Sequence, residues 1–476
     1  MPRGLKALFT PRAVAVIGAS RSPGKVGHAV LRNLLYGCGE RAPDRSWGFP
    51  GRIVPVNPHA EEILGLPVTP YLEKLEGPID LAVLAIPAAQ VPEALDAVGR
   101  RGAQAAIVLA AGTAQLGQEG RRLEEQLVSV ARNTGTRVIG PNCTGLFTRL
   151  EGEHLLSASF FSKVPPPGPI ALIAQSGAIA QALLHAAADH DLGLRHIVTL
   201  GEKVDVQDAE LLRYLARDPE VKVIGLHVES LDDPRGFHAT AREVSARKPL
   251  VVLHGGRTAA GMRAARGYEG LFGTCDASLE GALGAAGVHQ VATLGEFMPA
   301  LQALSEQPAA AGRRVAIVSN GGGTAVLAAD AVSNAGLDVV PFRRHTIERL
   351  AQLRGRDTRN PLDLRGDASA EQVLAALDAV AEADEVDAIL LVLTAQATTD
   401  PRELADALTP WHRGCDKPIL AASVGFATER LLARAGIPEL GLPEEAAAGL
   451  AALAARGAFE RRSIRRRLPE STSSSW

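Results

Sequence analysis

The sequence predicts an α/β protein whose sheets are made of parallel strands, and three observations carry this prediction. An apolar run, a glycine-rich turn and an amphipathic helical stretch follow one another three times, at residues 13–35, 169–188 and 314–337. Each run is nearly continuous in Val, Ile, Leu and Ala, as in strands that are buried on both faces. Strand and helix signals alternate along the rest of the chain, which is typical of doubly wound sheets with right-handed crossovers.

Each opening unit is followed by further apolar strands with helical segments between them. The predicted strands are IDLAVLAIP, AAIVLAAG, VKVIGLHVE, PLVVLHGG, VDAILLVLT and KPILAAS. The segments PEALDAVGRRG and AEQVLAALDAVAEA have the apolar spacing of amphipathic helices. Proline-rich joints at Lys163–Ile170 and Glu306–Arg314 separate the three units. The end RRSIRRRLPESTSSSW predicts a disordered or peripheral tail, solvated rather than bound to nucleic acid or lipid.

Composition and charge exclude several classes of protein. The 476 residues include 50 Lys and Arg against 53 Asp and Glu, a formal net charge of −3, so bulk electrostatic binding to nucleic acid or to an anionic membrane is excluded. No apolar run approaches the roughly 20 residues that span a bilayer, and the amino terminus lacks the apolar core of a signal peptide. The four cysteines are far apart, which argues against a disulfide scaffold or a zinc site. We therefore expect a cytoplasmic protein without a metal site.

The first glycine-rich turn predicts a site for a nucleotide-type ligand. Its residues are Gly18, Ala19, Ser20, Lys25 and Gly27. In parallel sheets, ligands bind beyond the carboxyl ends of strands, where glycines admit them to helix N-termini. The turn is longer than G-x-G-x-x-G, and the next strand ends at Asn57 without the acid that binds an NAD ribose. This disfavours a nicotinamide dehydrogenase and leaves two alternatives, a nucleotide or CoA site and a merely structural turn.

Two later turns, at residues 175–178 and 320–324, predict a phosphate site. Each places glycine at the predicted start of a helix, where backbone N–H groups have no partner within the helix. Two such helix starts directed at one point would hold a single phosphate. Taken singly, either turn is equally compatible with a close crossing of a strand and a helix.

Motifs over nearly the whole chain, up to about Ala458, carry a resemblance to one family. They include VAVIGASRSPGKVGHAVLRNL, VPVNPHAEEILG, IGPNCTG, AQSGAIAQALL, TLGEKVDVQDAELLRYLARDPEVKVIGLHVES, IVSNGGGTAVLAADA and NPLDL. The chain resembles the α subunit of ADP-forming acyl-CoA (acetyl-CoA) synthetases, relatives of succinyl-CoA synthetase. The resemblance implies a Rossmann-like CoA-binding domain at 1–147, two flavodoxin-like parallel-sheet domains at 148–306 and 312–458, and a basic, serine-rich tail at 459–476.

The resemblance also implies ligands and partners. CoA and a carboxylic or acyl-phosphate substrate would bind here, whereas ATP, ADP and Mg²⁺ would enter only through an ATP-grasp β subunit, in a homodimer or an α/β complex. The implied CoA-binding residues are those of the first turn together with Val56, Asn57, Pro58, Ile86, Pro87, Asn142 and Cys143. The implied phosphate-binding residues are Ser176, Gly177, Gly322 and Gly323.

The family passes a phosphoryl group through a histidine, and this chain has Tyr268 at the corresponding position. A phenol with a pKa of about 10 is mostly protonated at neutral pH, and a phosphotyrosine is a poorer phosphoryl donor than a phosphohistidine. Glu229 matches the family acid that stabilises the phosphohistidine. His254 replaces a family lysine at a strand end, where a structural histidine is favoured over a catalytic one.

Three functions remain open at this stage. The first is an acyl-CoA ligase subunit that binds CoA and forms acyl-CoA from an acyl phosphate together with a partner. The second is a degenerate ligase that senses CoA or acyl-CoA, and the missing histidine motivates it. The third is an acyl-group transferase that uses no ATP. The retained CoA and phosphate motifs favour the ligase, although ATP-dependent synthesis by this polypeptide alone is not expected.

Overall fold

The structure, a computed structural model, describes residues 4–38, 45–110, 117–231, 233–267, 277–353, 358–395, 401–425 and 430–467. The chain divides into two compact units, Met1–Ala286 and Gly287–Trp476, and each is described by itself. Among the described residues, none of the helices combines the length and the hydropathy that crossing a bilayer requires.

The first unit opens with a five-stranded sheet. Its strands are β1 (Ala13–Ile17) and β2 (Arg52–Val56), then, after the small hairpin β3 (Glu62–Ile63) and β4 (Leu66–Pro67), β5 (Leu81–Leu84), β6 (Ala105–Val108) and β7 (Arg137–Ile139). Helices α1 (Leu5–Phe9), α2 (Val26–Tyr36), α3 (Val91–Arg100) and α4 (Gln118–Thr134) accompany them. The strand order is β2-β1-β5-β6-β7, and every pairing is parallel. Strands β1, β5 and β6 are buried throughout, which explains their continuous apolar sequences.

A second sheet follows in the same unit. Its strands are β8 (Gly145–Arg149), β9 (Leu155–Ser159), β10 (Pro167–Ala174), β11 (Leu194–Thr199), β12 (Val223–Val228) and β13 (Leu250–His254). Helices α5 (Gly177–Asp189), α6 (Asp208–Leu215), α7 (Pro234–Ser245), α8 (Ala259–Gly267) and α9 (Ala277–Ala285) accompany them. The order is β9-β8-β11-β10-β12-β13. Strands β10 to β13 are parallel, whereas β8 pairs antiparallel with both β9 and β11.

The second unit contains a third parallel sheet. Its strands are β15 (Arg314–Ser319), β16 (Asp338–Val339), β17 (Leu362–Asp363), β18 (Ala388–Thr394), β19 (Ile419–Val424) and β20 (Glu439–Leu440), and β14 (Val288–Val291) precedes them. Its helices are α10 (Leu294–Glu306), α11 (Gly322–Asn334), α12 (Arg344–Leu350), α13 (Ala370–Ala381), α14 (Pro401–Arg413), α15 (Leu431–Arg434) and α16 (Pro443–Arg467). The order is β16-β15-β18-β19-β20, and β17 pairs with the end of β15.

Helix α16 does not end where the sequence places the start of the tail, at residue 459. It continues to Arg467, and Phe459 is buried against Gly287, whose hypothetical Cβ would overlap the phenyl ring. An i,i+4 ion pair between Arg456 and Glu460 lies across the predicted boundary. Side-chain packing therefore anchors the helix across the predicted boundary at residue 459.

The predicted α/β class and the parallel sheets are confirmed. All six of the further strands and both helices named from the sequence are present, with ends that differ by a few residues. The antiparallel strands β8 and β9 were not predicted. The three-domain division and its boundaries stay a prediction.

Candidate active site

The loop after β1 lies where the sequence predicts the first ligand turn, at the carboxyl edge of the first sheet. The N–H of Gly18 donates to the Val56 carbonyl across 3.1 Å, which joins the ends of β1 and β2. Gly18 has φ +86°, and a Cβ there would lie 2.8 Å from Cγ2 of Ile86 at the end of β5. Glycine is required both by the backbone angle and by this close approach. Val56 and Ile86 therefore both lie next to Gly18, and all three are predicted CoA-binding positions.

Helix α2 begins directly beside this turn. A Cβ on Gly27 would overlap the Gly18 carbonyl oxygen, so the first turn of the helix passes the loop with no room for a side chain. Lys25 is exposed at the N-cap position, and no side chain caps the helix there. A Cβ on Gly24 would meet nothing within 4 Å. The start of α2 is thus open to solvent and flanked by a cation, as an anion site at a helix N-terminus requires.

Asn57 joins the first turn to the segment after β2. Its Nδ2 donates to the Ala19 carbonyl across 2.6 Å, and its Oδ1 accepts the His59 N–H at 2.7 Å. The amide nitrogen and the amide oxygen of Asn57 therefore both form hydrogen bonds within the protein. Ser20 lies in the same turn, where its carbonyl contacts Nδ1 of His28 at 2.9 Å. The neighbouring Pro58 is exposed, as is Pro87 after β5.

Asn142 and Cys143 lie further along the same edge. The Asn142 N–H donates to the Ala110 carbonyl beyond β6 across 2.7 Å, and Asn142 has a left-handed backbone with φ +57°. The Cys143 thiol donates to the Val108 carbonyl at 3.3 Å and is fully buried. Burial raises the pKa of this thiol to about 12, so it is protonated at neutral pH and unsuited to nucleophilic attack. Cys143 acts here as a small buried residue.

The start of α5 packs against this CoA-side segment. A Cβ on Gly177 would lie 2.7 Å from Cγ2 of Thr144, the residue after Cys143. Thr144 is itself held by Thr199, whose Oγ1 accepts the Thr144 N–H at 3.0 Å and donates to the Gly145 carbonyl at 2.7 Å. The predicted phosphate turn and the edge of the predicted CoA crevice are therefore in contact within the first unit.

Ser176 is the N-cap residue of α5. Its Oγ accepts the Ile179 N–H at 3.4 Å, so one of the helix-start donors expected to face a phosphate already has a partner. The preceding Gln175 is buried and binds the end of β12. Its Oε1 accepts the N–H groups of Glu229 and Ser230 at 2.9 and 3.0 Å. Glu229 follows β12 and is distant in sequence from the phosphate turn, which follows β10. Its backbone nevertheless lies beside that turn.

The third predicted turn lies in the second unit. Gly321 is the N-cap of α11, and Gly322 and Gly323 are exposed in its first turn. A Cβ on Gly322 would lie 2.9 Å from Oδ2 of Asp363, at the end of β17. A carboxylate beside the helix start interacts favourably with its N–H groups and opposes the approach of another anion. The convergence of this helix start with that of α5 stays a prediction.

Family models match the parts of the chain that form the first two of these turns, but not the third. Residues 12–149 match a CoA binding domain, and residues 167–304 match a succinyl-CoA ligase like flavodoxin domain. The acetate–CoA ligase (ADP-forming) I subunit alpha of Pyrococcus furiosus is 35% identical over 468 residues, with 94% of this chain and 97% of the relative covered. The chain belongs to the ADP-forming acyl-CoA ligase α-subunit family.

Other ligases of this group show the same likeness. The acetate–CoA ligase (ADP-forming) I of Archaeoglobus fulgidus is 33% identical over 469 residues, which cover 98% of this chain and 65% of that longer protein. Among solved structures, the dinucleotide-forming acetyl-coenzyme A synthetase 1 of Candidatus Korarchaeum cryptofilum, in complex with phosphate and ADP, has a TM-score of 0.86 and 30% identity. The match covers 98% of this chain and all of that chain. The family resemblance read from the motifs is confirmed.

The α-subunit fold places the predicted CoA-binding positions along one sheet edge. Tyr268, which the resemblance implies for the family histidine position, lies outside the described residues. Sequence reasoning missed Gln175 and Lys203, which contact the Glu229–Ser230 segment through hydrogen bonds. Both are polar residues in otherwise apolar or turn segments, and that is the signal by which they could have been found.

Proposed function

We propose that this chain is the CoA-binding subunit of an ADP-forming acyl-CoA ligase and that it forms acyl-CoA from an activated acyl group such as an acyl phosphate. The supporting observation is the contact between Gly177 and Thr144, which joins the start of α5 to the Asn142–Cys143 segment. An activated acyl group bound at this junction would be within reach of a thiol entering from the first sheet. The identity of the acyl group is left open.

The first turn fits the pyrophosphate portion of CoA. No side chain fills the turn, because Gly18 and Gly27 cross without room for one, and the start of α2 lacks a side-chain cap. Lys25 is exposed beside these N–H groups and supplies a positive charge. The remaining proposed CoA contacts lie at the ends of neighbouring strands: Ala19, Ser20, Val56, Asn57, Pro58, Ile86, Pro87, Asn142 and Cys143.

Bound CoA supplies the thiol whose sulfur forms a bond to the acyl carbon as the carbon–oxygen bond to phosphate breaks. Backbone N–H groups in the first turn of α5, at Gly177, would hold the departing phosphate. Glu229, fixed beside that turn through Gln175, is proposed as the acidic residue of the site. Gly322 and Gly323, at the start of α11, are proposed as further phosphate-binding residues.

The relatives named ADP-forming support a nucleotide step outside this chain. We propose that an ATP-grasp β subunit binds ATP and Mg²⁺ and produces the activated acyl group, in an α/β complex or with a homodimer of this chain at its centre. The cytoplasmic location predicted from the sequence belongs to the same proposal.

A second candidate function rests on Tyr268. If a phosphohistidine is needed to pass the phosphoryl group, its replacement by tyrosine leaves a protein that binds CoA or acyl-CoA without ATP-dependent turnover, as a sensor would. An acyl transferase that uses no ATP would also form the thioester, so its behaviour in that step would be the same as the ligase's.

The test is to supply acyl phosphate and CoA to the purified chain and to measure thioester formation and CoA binding separately. Thioester formation above the uncatalysed rate supports the ligase, and CoA binding without thioester supports the sensor. No CoA binding contradicts both. Repeating the assay with ATP, the free acid and a family β subunit, for the wild type and for Tyr268→His, then separates the two. Synthesis that appears only with histidine shows that the rest of the site is competent.

A further inference from the structure

Lys203 is a buried lysine in the turn after β11. It is 4% exposed, and its backbone has φ +52°, in the left-handed region that residues other than glycine rarely adopt. A charged side chain is seldom so completely buried unless it has partners. Burial of the charge and the left-handed backbone both cost free energy. The contacts of the Lys203 side chain must offset that cost.

The Lys203 ammonium group makes two contacts of different kinds. Nζ lies 3.0 Å from Oδ2 of Asp208, the first residue of α6, and this carboxylate is also buried. Nζ also donates to the Ser230 carbonyl across 2.7 Å. The ion pair compensates the buried charge, whereas the second bond holds the backbone just beyond β12. Both contacts satisfy buried polar groups, and the second also ties Lys203 to the segment that carries Glu229.

The Ser230 backbone is held from its other side by Gln175. Oε1 of Gln175 accepts the N–H groups of Glu229 and Ser230, and Nε2 donates to Oγ of Ser230 at 3.0 Å. Gln175 immediately precedes Ser176 at the start of α5. The segment that carries Glu229 is therefore fixed between Lys203 and the phosphate turn.

We propose that Lys203 is a positioning residue, which holds the Glu229–Ser230 backbone against Gln175 and thereby sets the Glu229 carboxylate beside the start of α5. This rests on the proposed function in so far as Glu229 belongs to the site. Lys203 itself touches no substrate. Its effect passes through one hydrogen bond to a carbonyl, and removing that bond lets the segment move.

The experiment compares Lys203→Met, Asp208→Asn and the double variant. Lys203→Met leaves Asp208 buried without its partner and is expected to lower the melting temperature. The double variant removes both charges, so we expect it to regain most of the stability while the Ser230 carbonyl still lacks Nζ. Its kcat for thioester formation from acyl phosphate and CoA should be about tenfold to a hundredfold below wild type. Its KM for CoA should stay within about twofold, because the first turn lies on the other sheet.

Hydrogen exchange gives a readout that does not depend on activity. The amides of Glu229 and Ser230 should exchange at least about tenfold faster in the double variant, because their bonds to Gln175 are no longer held in register. Asp208→Asn alone keeps the Lys203–Ser230 bond and should retain kcat and slow exchange despite a lower melting temperature. Arg213→Met is the matched control, because Arg213 lies on the same helix as Asp208 and forms a half-exposed pair with Glu243 of α7; it should change neither kcat nor exchange.

Wild-type kcat and exchange in a folded double variant would overturn the proposal, since Lys203 would then serve only its ion pair. An equal loss of kcat in Asp208→Asn would overturn it as well, and this variant decides the matter if the double variant does not fold. If the wild type makes no thioester, the proposed function fails, while the exchange of the Glu229 and Ser230 amides still tests the role of Lys203.

Discussion

Gly177 at the start of α5 lies directly against Thr144, so closely that a Cβ would be 2.7 Å from Cγ2 of the threonine. This contact joins the segment that ends the CoA-binding sheet edge to the turn proposed for phosphate. Thr144 cannot move easily, because its N–H and Oγ1 both bond Oγ1 of Thr199, at 3.0 and 3.2 Å. The close approach of the start of α5 to the Asn142–Cys143 segment therefore depends on the absence of a side chain at Gly177.

Gly177→Ala should move the start of α5 away from Thr144, and a second substitution, Thr144→Ser, should restore the contact. The added methyl overpacks the contact, at a cost of about 1 to 3 kcal/mol in the free energy of unfolding, and shifts the helix start. Serine keeps the hydroxyl that bonds Thr199 and removes the Cγ2 methyl. Thioester formation should fall at least about tenfold in the single variant and return to within about threefold in the double variant. A double variant as slow as Gly177→Ala would contradict this geometry.

Asn57→Ala should weaken CoA binding without unfolding the chain. The lost bond to the Ala19 carbonyl is worth about 1 kcal/mol, which corresponds to about a fivefold rise in the Kd measured by calorimetry. Asn57→Asp should weaken CoA binding further, because a carboxylate would then face the Ala19 carbonyl oxygen. Asn334→Ala, at an exposed position in the second unit, is the control and should leave the Kd unchanged. Equal Kd values for all four proteins would show that the first turn needs no such support.

His227 should make the chain less stable in mild acid. Burial, and next the nearby His254, lower the pKa of His227 from 6.5 to about 4. The unfolded chain therefore binds a proton that the folded chain does not, and stability is lost as the pH falls from about 6.5 to about 4. At about 1.4 kcal/mol per tenfold change in proton affinity, the full effect is about 3 kcal/mol.

The measurement is urea unfolding between pH 7.5 and 4. The free energy of unfolding of His227→Leu, relative to wild type, should rise by about 2 to 3 kcal/mol over this range. His185→Gln removes an exposed histidine and should give a curve parallel to that of wild type. If the His227→Leu curve is also parallel, the buried imidazole does not resist protonation as described.

The strands that position the site were predictable because each is buried on both faces, as the apolar runs of β1, β10 and β15 show. Strands β8 and β9 were missed because polar residues interrupt their apolar sequences, Ser157 and Ser159 among them. Gln175 and Lys203 stand out as polar residues, but their shared partner Ser230 could not be predicted, since the hydrogen bonds join residues 27 and 55 positions apart.

Asp363→Asn should strengthen the binding of inorganic phosphate at the start of α11. The carboxylate lies beside Gly322, where its charge opposes that of an approaching anion. Removing one charge at a partly exposed site is worth about 0.5 to 1 kcal/mol, so the Kd should fall about twofold to fivefold at low salt and less at high salt. Asp330→Asn, on the exposed side of the same helix, should have little effect. A Kd that Asp363→Asn does not change would argue that no anion binds at this helix start.

Gly322→Pro tests whether a backbone N–H group at the same helix start binds the phosphate. Gly322 is the first residue of α11, where proline is well tolerated, and Gly321 before it is extended with φ −149° and ψ 118°. The substitution removes one N–H group while keeping the helix, but a Cβ at this position would lie 2.9 Å from Oδ2 of Asp363, so that side chain must shift. Gly322→Ala adds the same Cβ and keeps the N–H group, and the melting temperatures of the two variants should agree within about 2 °C. Thioester formation should fall at least about tenfold if this N–H contacts the phosphate. Gly323→Ala, whose Cβ would meet nothing within 4 Å, keeps its N–H and should remain active. Full activity of Gly322→Pro would show that this N–H group does not bind the phosphate.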